Sequence, residues 1–187
     1  GNSNKAGIGI LNDAGNRGIW TDSNDLLFTT SYEGNSTVHM KIDTNGIITK
    51  PLQPAFMARP ASQQANLPIN TETTIVFGTE IFDQNGDFAS NTFTAPVAGK
   101  YQLNVLIYLS NLDSASDYYI IKLKTSNRDY EIVFDPDFGQ DAVYWGTALS
   151  VLADMDASDT SHVIVNYTGT AQTDIQTGSV FSGYLVA

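Results

Sequence analysis

Apolar and polar side chains alternate along most of the chain after residue 100. The clearest run covers residues 101–109, in which every second position is Tyr, Leu, Val or Ile. A period of two is typical of a β-strand with one buried face. Similar runs cover 119–123, 130–134, 143–151, 163–167 and 180–186, and the inward positions of 143–151 would begin at Val143 and Trp145. These patterns predict a strand for each run.

Polar clusters rich in Asp, Asn, Ser and Gly separate these runs. They cover residues 110–117, 125–129, 135–142, 153–161 and 168–178, and they predict turns. No segment keeps apolar residues at helical spacing over three turns, so helices are not expected. The chain is therefore predicted to be all-β, folded as a sandwich or jelly roll.

The first fifty residues differ from the rest because their apolar runs are short, at 8–11, 26–30 and 38–42, and are punctuated by glycines at 7, 9, 15, 18, 34 and 46. Such short strands need to pair with other chains or to dock on a neighbour to become stable. The sequence Lys-Pro-Leu-Gln-Pro at 50–54 then interrupts any strand, because proline has no N–H to donate. We therefore predict a thin β-rich neck over 1–52 and a compact head over 53–187.

Composition excludes several classes of function. Apolar residues make up 42% of the chain and charged residues 16%, which excludes a disordered chain. The net charge of -11 disfavours binding to nucleic acid or to an anionic membrane. No apolar run approaches 18 residues, so no membrane insertion is expected, and no signal peptide is recognised. The lack of cysteine excludes disulfides, thiolate metal sites and a cysteine nucleophile.

Four segments of the head carry a resemblance to a known family. They are Ala-Phe-Met-Ala at 55–58, Phe-Thr-Ala-Pro-Val-Ala-Gly-Lys-Tyr at 93–101, Ala-Leu-Ser-Val-Leu at 148–152 and Phe-Ser-Gly-Tyr-Leu at 181–185. With a further strand at 74–77, they resemble, in order, the signatures of the C1q/TNF-like jelly roll. This resemblance implies a jelly-roll sandwich over 55–187 that assembles as a homotrimer.

The neck carries a second resemblance, over residues 40–51. There, Asp-Thr-Asn-Gly at 43–46 predicts a hairpin turn between two strands. A strand, an Asp-x-x-Gly turn and a second strand are similar to the elements that precede the head in phage tail-fibre proteins. Together the two resemblances imply a trimeric fibre that ends in a receptor-binding head, located on a virion outside the cell and made in the host cytoplasm.

The candidate contact residues follow from the expected topology. If the last strand ends beside the neck, the loops 125–129 and 153–160 are expected at the far tip, near residue 177. The predicted receptor-binding residues are Asn127, Arg128, Asp154, Asp156 and Asp159. Three copies would bring Asp154, Asp156 and Asp159 near one axis, where a calcium ion would relieve the repulsion between carboxylates. A solvated acidic loop is the alternative.

Several other polar residues are candidates for catalysis or metal binding. Glu131, Asp135, Asp137 and Asp141 would have to supply an acid and a base for glycoside hydrolysis, but no such pair is defined by the sequence. His39 and His162 are interpreted as ordinary strand residues. The segment 83–87, Asp-Gln-Asn-Gly-Asp, resembles a calcium loop but lacks its spacing, so a hairpin turn is preferred.

Aromatic residues at adjacent strand positions offer a different kind of evidence. In each neighbouring pair, one side chain must point away from its own core. The set is Tyr108, Tyr118, Tyr119, Tyr144 and Trp145. Burial between protomers is the favoured interpretation, and a sugar-stacking surface is the alternative.

Three functions are consistent with these patterns. The preferred one is a non-enzymatic, trimeric fibre tip of a phage or another virus that recognises a host-surface glycan or protein, with no catalytic residues. The alternatives are a fibre enzyme that degrades surface polysaccharide and a purely structural trimerisation cap.

Overall fold

The computed structural model describes residues 6–10, 17–30 and 37–187, and every regular element in these ranges is a β-strand. This confirms the all-β prediction. The chain divides into two units, Gly1–Gln53 and Pro54–Ala187.

The first unit is a single antiparallel sheet whose strands follow one another in chain order. Its strands are β1 (Ala6–Ile10), β2 (Arg17–Asp22), β3 (Asp25–Thr29), β4 (Val38–Ile42) and β5 (Ile48–Thr49). The predicted run 8–11 falls on β1, except that Leu11 lies outside the described residues. The runs 26–30 and 38–42 fall on β3 and β4.

The turn between β4 and β5 is the predicted hairpin turn. The Asp43 carboxylate accepts the N–H groups of Asn45 and Ile47 at 2.8 and 2.9 Å. Gly46 has a φ of 81°, a backbone conformation that residues with a Cβ rarely adopt. The two strands that flank the turn are paired, which confirms the prediction for 43–46.

The second unit contains twelve strands among the described residues. They are β6 (Ala55–Arg59), β7 (Thr73–Thr74), β8 (Thr79–Asp83), β9 (Phe88–Ala89), β10 (Thr92–Thr94), β11 (Gly99–Leu112), β12 (Tyr119–Thr125), β13 (Asp129–Phe134), β14 (Ala142–Met155), β15 (Thr160–Tyr167), β16 (Asp174–Ile175) and β17 (Val180–Leu185). The β11 sheet has the order β14-β11-β17-β6-β8, with β16 on β11. The β12 sheet has the order β13-β12-β15-β10-β9, with β7 on β15. The two sheets form the predicted sandwich.

The core between these sheets is built around stacked aromatic rings. The ring of Phe56 stacks on Phe93 and Phe88, with centroids 4.7 and 5.0 Å apart, and meets the edge of Phe181 at 4.9 Å. All four side chains are buried. Because aromatic pairs add to the free energy gained from burial alone, this cluster is a main source of stability for the unit.

The alternation of apolar residues correctly predicts the buried face of several strands. On β11 the alternate positions are all buried: Tyr101, Leu103, Val105, Ile107 and Leu109. The prediction for the start of β14 is wrong, because Val143 is 67% exposed. β14 is the edge strand of its sheet, and Val143 lies at its beginning, where the edge leaves it open to solvent.

Three turn and strand boundaries also differ from the prediction. The predicted turns at 110–117 and 153–161 are shorter, because β11 continues to Leu112 and β14 to Met155. These two strands pair along almost their whole length, which holds their polar residues in the ladder. In the segment 74–77, only Thr74 belongs to a strand.

The segment 83–87 is a turn but not a hairpin turn. The Asp83 carboxylate accepts the N–H groups of Gly86, Asp87 and Phe88 at 2.9 to 3.1 Å. However, β8 and β9 belong to different sheets, so the turn connects the two layers of the sandwich. The prediction of a hairpin was therefore wrong, because the strands on either side of the turn do not pair with each other. The Asp83 carboxylate is occupied by three backbone N–H groups of its own loop.

Candidate functional site

The two ends of the second unit carry different sets of loops. Both β14 and β17 run antiparallel to β11, so both end where β11 begins. The N–H of Leu185 donates to the Pro54 carbonyl at 3.1 Å at the same end. We call this end, which carries Pro54 and Ala187, the proximal end. The distal end carries the loops 113–118, 135–141 and 168–173.

The structure brings the predicted receptor-binding residues together at the proximal end. The Arg128 guanidinium lies 2.7 Å from the Asp154 carboxylate. The Asn127 side-chain amide donates to the Asp154 carbonyl at 3.0 Å. Asp156 and Asp159 lie in the next loop, 156–159. Arg128, which was predicted as a receptor contact, is therefore already paired within its own chain.

The predicted location of these loops was wrong. They do not lie near residue 177, because Met155 pairs with Gly99 at the start of β11. Residue 177 follows Gln176, whose N–H donates to the carbonyl of Tyr108, much further along β11. The loops 125–129 and 153–160 therefore lie beside the end of the last strand and not opposite to it.

The three carboxylates predicted to bind calcium do not converge within one chain. Asp154 pairs with Arg128, and the Asp159 carboxylate accepts the N–H of Asp156 at 2.8 Å. Across the residues that the structure describes, no three His, Cys, Asp or Glu side chains are grouped to hold a metal ion. The prediction concerned carboxylates from three copies, and in that form it stays a prediction.

An open cavity of about 410 Å³ lies beside these residues. It is lined by Ala98, Gly99, Lys100, Asn127, Asp154, Met155, Asp156 and Ala187. These residues offer an ammonium group, an amide and carboxylates, which can form hydrogen bonds with a ligand rich in hydroxyl groups. We call it the proximal cavity. Lys100 was missed from the sequence, because its position opposite Asp154 follows from the pairing of β11 with β14.

At the distal end, the buried carboxylate of Asp113 joins two loops. It accepts the N–H groups of Thr170 and Ala171 at 2.5 and 2.7 Å and the N–H of Ala115 at 2.9 Å. Burial acts to raise the pKa of Asp113, but these hydrogen bonds outweigh it and the pKa is lowered. The side chain of Asp113 is therefore a structural link and is not available to a ligand.

The carboxylates considered for glycoside hydrolysis have separate partners. Glu131 lies 3.1 Å from the Lys122 ammonium, whose pKa is raised by its hydrogen bonds with Glu72 and Glu131. Asp135 accepts the N–H of Asp137 at 3.0 Å, and Asp141 accepts the N–H and hydroxyl of Ser114 at 2.9 and 2.8 Å. These contacts favour structural roles for Glu131, Asp135 and Asp141.

The two histidines lie in strands of different units. His39 is exposed on β4, and His162 is half-buried on β15. Burial lowers the pKa of His162, and the neighbouring Lys124 lowers it further. His162 is thus favoured in its neutral form at neutral pH.

The outer face of the β11 sheet, which points away from the core, carries exposed apolar side chains. Leu106 and Leu152 are 47% and 57% exposed, and Phe82 and Tyr184 are about half exposed on the same face. Polar groups between them bond to one another: the Ser150 hydroxyl lies 2.7 Å from the side-chain oxygen of Asn104. Tyr108 and Tyr144 of the predicted aromatic set point to the same side of this sheet. The four exposed apolar residues were missed, although they stand at the out-of-phase positions of strands.

A second exposed apolar surface lies along the edge strand β14. The ring of Trp145 packs on Phe138 and Phe134, with centroids 4.8 and 5.7 Å apart. We call Val143, Trp145 and Phe138, all of them exposed, the aromatic edge. Tyr144 points to the other side of β14 and lies against Tyr108, at 5.3 Å.

The pair Tyr118 and Tyr119 lies at the start of β12, with Tyr118 directly before the strand. Tyr119 is fully buried, and its ring stacks between Tyr167 and Phe134 at 4.8 and 5.3 Å. Its neighbour Tyr118 is only partly buried. Of this pair, Tyr119 alone therefore belongs to the buried core.

Comparisons with known proteins agree with this architecture. The family model of the C1q domain matches residues 55–186. The globular domain of zebrafish complement 1qA protein is similar in structure, with a TM-score of 0.52 and 21% sequence identity over 72% of this chain and 98% of that chain. Murine APRIL at pH 8.0 is also similar, with a TM-score of 0.52 and 8% identity over 72% of this chain and 99% of that one. No relative among the curated proteins matches the chain.

Proposed function

Because the chain belongs to the C1q domain family, we propose that it is a non-enzymatic, homotrimeric attachment module, the tip of a phage or other viral fibre that recognises a host-surface glycan or protein. C1q/TNF-like domains are generally non-enzymatic and commonly form homotrimers. C1q-domain proteins are typically extracellular or secreted. In the described residues, no helix is long and apolar enough to cross a membrane.

Two exposed apolar surfaces carry the proposal of a trimer. The outer face of the β11 sheet and the aromatic edge consist of different residues, so one copy can present its edge to the face of the next. A contact between two different surfaces is heterologous, and it closes into a ring when the rotation between copies allows it. Aromatic side chains are enriched at such interfaces. This contact would bury the aromatic edge, whereas a sugar-stacking surface would leave it open.

The trimer is tested by the solution mass. Light scattering is expected to give about three times the chain mass of 20.2 kDa. Replacing Leu106 and Leu152 together with aspartate places charges in the proposed interface, and the mass should fall to that of one chain. Val133→Asp is the control, because Val133 is 56% exposed on the outer face of the other sheet. A wild-type monomer would contradict the proposal.

The calcium prediction is tested in the same instrument. If Asp154, Asp156 and Asp159 of three copies share a calcium ion, a chelator should reduce the mass, because the carboxylates then repel one another. Replacing Asp156 with Asn should make the mass insensitive to the chelator. An unchanged wild-type mass, together with no heat on calorimetric titration with calcium, would remove the ion from the proposal.

For receptor recognition, we assign the contact to the residues around the proximal cavity: Asn127, Arg128, Asp154, Asp156 and Asp159. The cavity supports this assignment because its polar groups are held in place by the Arg128–Asp154 pair. Asn127→Ala and Asp156→Ala are expected to weaken binding of the protein to host cells without changing its melting temperature. Asp117→Ala, in a distal loop, is the matched control. If only the distal variant loses binding, recognition lies at the other end of the unit.

The purely structural cap remains a second candidate, supported by the first unit, where no apolar side chain among the described residues is buried. It predicts that all these loop variants bind cells as the wild type does. In contrast, a fibre enzyme would release sugar from surface polysaccharide and lose this activity on replacement of Glu131 or Asp137.

A further inference from the structure

The sheet of the first unit has two faces of very different chemistry. Residues paired directly across neighbouring strands share a face, so the register defines both faces. The pairs Ile8–Ile19, Ile19–Phe28 and Phe28–Met40 lie on one face. Together with Ala6, Thr21, Leu26, Ile42 and Ile48, they form what we call the apolar neck face. Its one charged residue by register is Arg17, at the end of β2.

On the opposite face, polar and aromatic side chains find their partners within the sheet itself. Lys41 pairs with Asp25 at 2.5 Å. The indole N–H of Trp20 donates to the Thr29 hydroxyl at 3.0 Å, and its ring lies so close to Gly7 that a Cβ there would be 2.5 Å from it. This face therefore has its own salt bridge, hydrogen bond and ring packing.

The apolar side chains of the apolar neck face are not covered in this way. Of the side chains of this unit that the structure describes, only Thr29 is buried, together with the glycine at position 18. The strands described for this unit form a single sheet. Ile8 and Ile48 are 67% and 58% exposed. An apolar face that spans five strands is stable in water only when another surface covers it.

We propose that the apolar neck face packs against the same face of two further copies of this chain, so that three sheets enclose one shared apolar core. This inference rests on the proposed homotrimer. It adds a second interface, in the first unit, and it assigns Ile19, Phe28 and Met40 to the centre of that interface.

The size of the face identifies the occupant as a tethered copy. Five strands about 4.8 Å apart, four of them five or six residues long and β5 only two, cover roughly 400 Å². A stable complex between free partners buries about 800 Å² on each side, so this face is too small to hold a free partner. Copies joined to trimeric heads meet at an effective concentration in the millimolar range, which removes most of the cost of association. A second and a third copy of this chain satisfy this condition.

Crosslinking through single cysteines tests the proposal on the full chain, because the native chain has no cysteine. Met40→Cys lies on the apolar neck face, and Leu27→Cys lies on the opposite face with a similar, partial exposure. After treatment with a three-armed maleimide, Met40→Cys is expected to give covalent trimer as its main product. The Leu27→Cys control is expected to stay mostly uncrosslinked. Adding Phe28→Glu to Met40→Cys should abolish the covalent trimer.

The mass of each variant separates this proposal from the one on which it rests. A trimeric mass without crosslinking of Met40→Cys, or with equal crosslinking of Leu27→Cys, would overturn the neck interface and leave the homotrimer in place. A trimeric mass for the Phe28→Glu variant, with its crosslinking lost, would support both. A monomeric mass for the wild type would overturn both.

Discussion

Replacing Phe56 with alanine is expected to lower the free energy of unfolding of the second unit by about 3 to 5 kcal/mol. The ring of Phe56 lies at the centre of the core, stacked on Phe93 and Phe88 and in edge contact with Phe181. Its removal takes apolar surface out of the core and leaves a cavity that the rigid sheets around it cannot close. Denaturation with guanidinium, followed by tyrosine and tryptophan fluorescence, measures the change.

The matched control for this variant is Val133→Ala. Val133 is exposed on the outside of the β12 sheet, so its truncation should change the unfolding midpoint little. All variants are compared at one protein concentration, since association makes the midpoint depend on concentration. A Phe56→Ala protein as stable as Val133→Ala would contradict the aromatic cluster as a main source of stability.

Replacing Asp113 with asparagine is expected to cost about 2 kcal/mol at neutral pH. The Asp113 carboxylate accepts backbone N–H groups on both of its oxygens, from Thr170 and Ala171 on one side and from Ala115 on the other. An asparagine has one acceptor oxygen, so its NH₂ group must face a backbone N–H on one side. Chemical denaturation measures this cost, and Asp117→Asn, at an exposed position of the same loop, is the control.

The same variant has a defined dependence on pH. The pKa of Asp113 is lower in the folded protein than in the unfolded chain. The stabilisation is therefore fully present above the unfolded pKa of about 3.9 and is lost as the pH falls through the lower folded-state value. The difference in stability between the wild type and Asp113→Asn should be constant near neutral pH and shrink in acid. A difference that grows in acid would show that Asp113 is not stabilised in its charged form.

The sequence predicts the burial of strand residues in the second unit best where the opposite sheet covers the inward face of the whole strand. On β11 the alternate residues from Tyr101 to Leu109 are covered by the opposite sheet along their whole length, so their period of two is a reliable guide. On β14 the same period places Val151 and Val143 on one side of the strand, but Val151 is partly buried and Val143 is exposed. Periodicity reports on which side of a strand a residue lies, and it carries no information on where the opposing sheet ends.

The candidate site depends on register, which is why the sequence placed it at the wrong end. The residues Asn127, Arg128 and Asp154 were correctly grouped from neighbouring turns, but the end of the sandwich that they occupy follows from the pairing of β14 with β11. The exposed apolar residues Leu106 and Leu152 could be identified from the sequence as out-of-phase residues in strands. Whether they face solvent or another chain is decided by assembly, on which a single sequence carries no direct information.

The position of β17 has a consequence for how the second unit folds. This last strand lies in the middle of the β11 sheet, between β11 and β6, and β6 is the first strand of the unit. The sandwich therefore cannot close until strands far apart in the sequence have met, whereas the first unit is a meander whose strands pair with their neighbours in the chain. Because long-range pairing is slow, the first unit is expected to fold faster than the second. A chain without β17 would lose the centre of one sheet and leave β11 and β6 with open edges, which favour pairing with other chains.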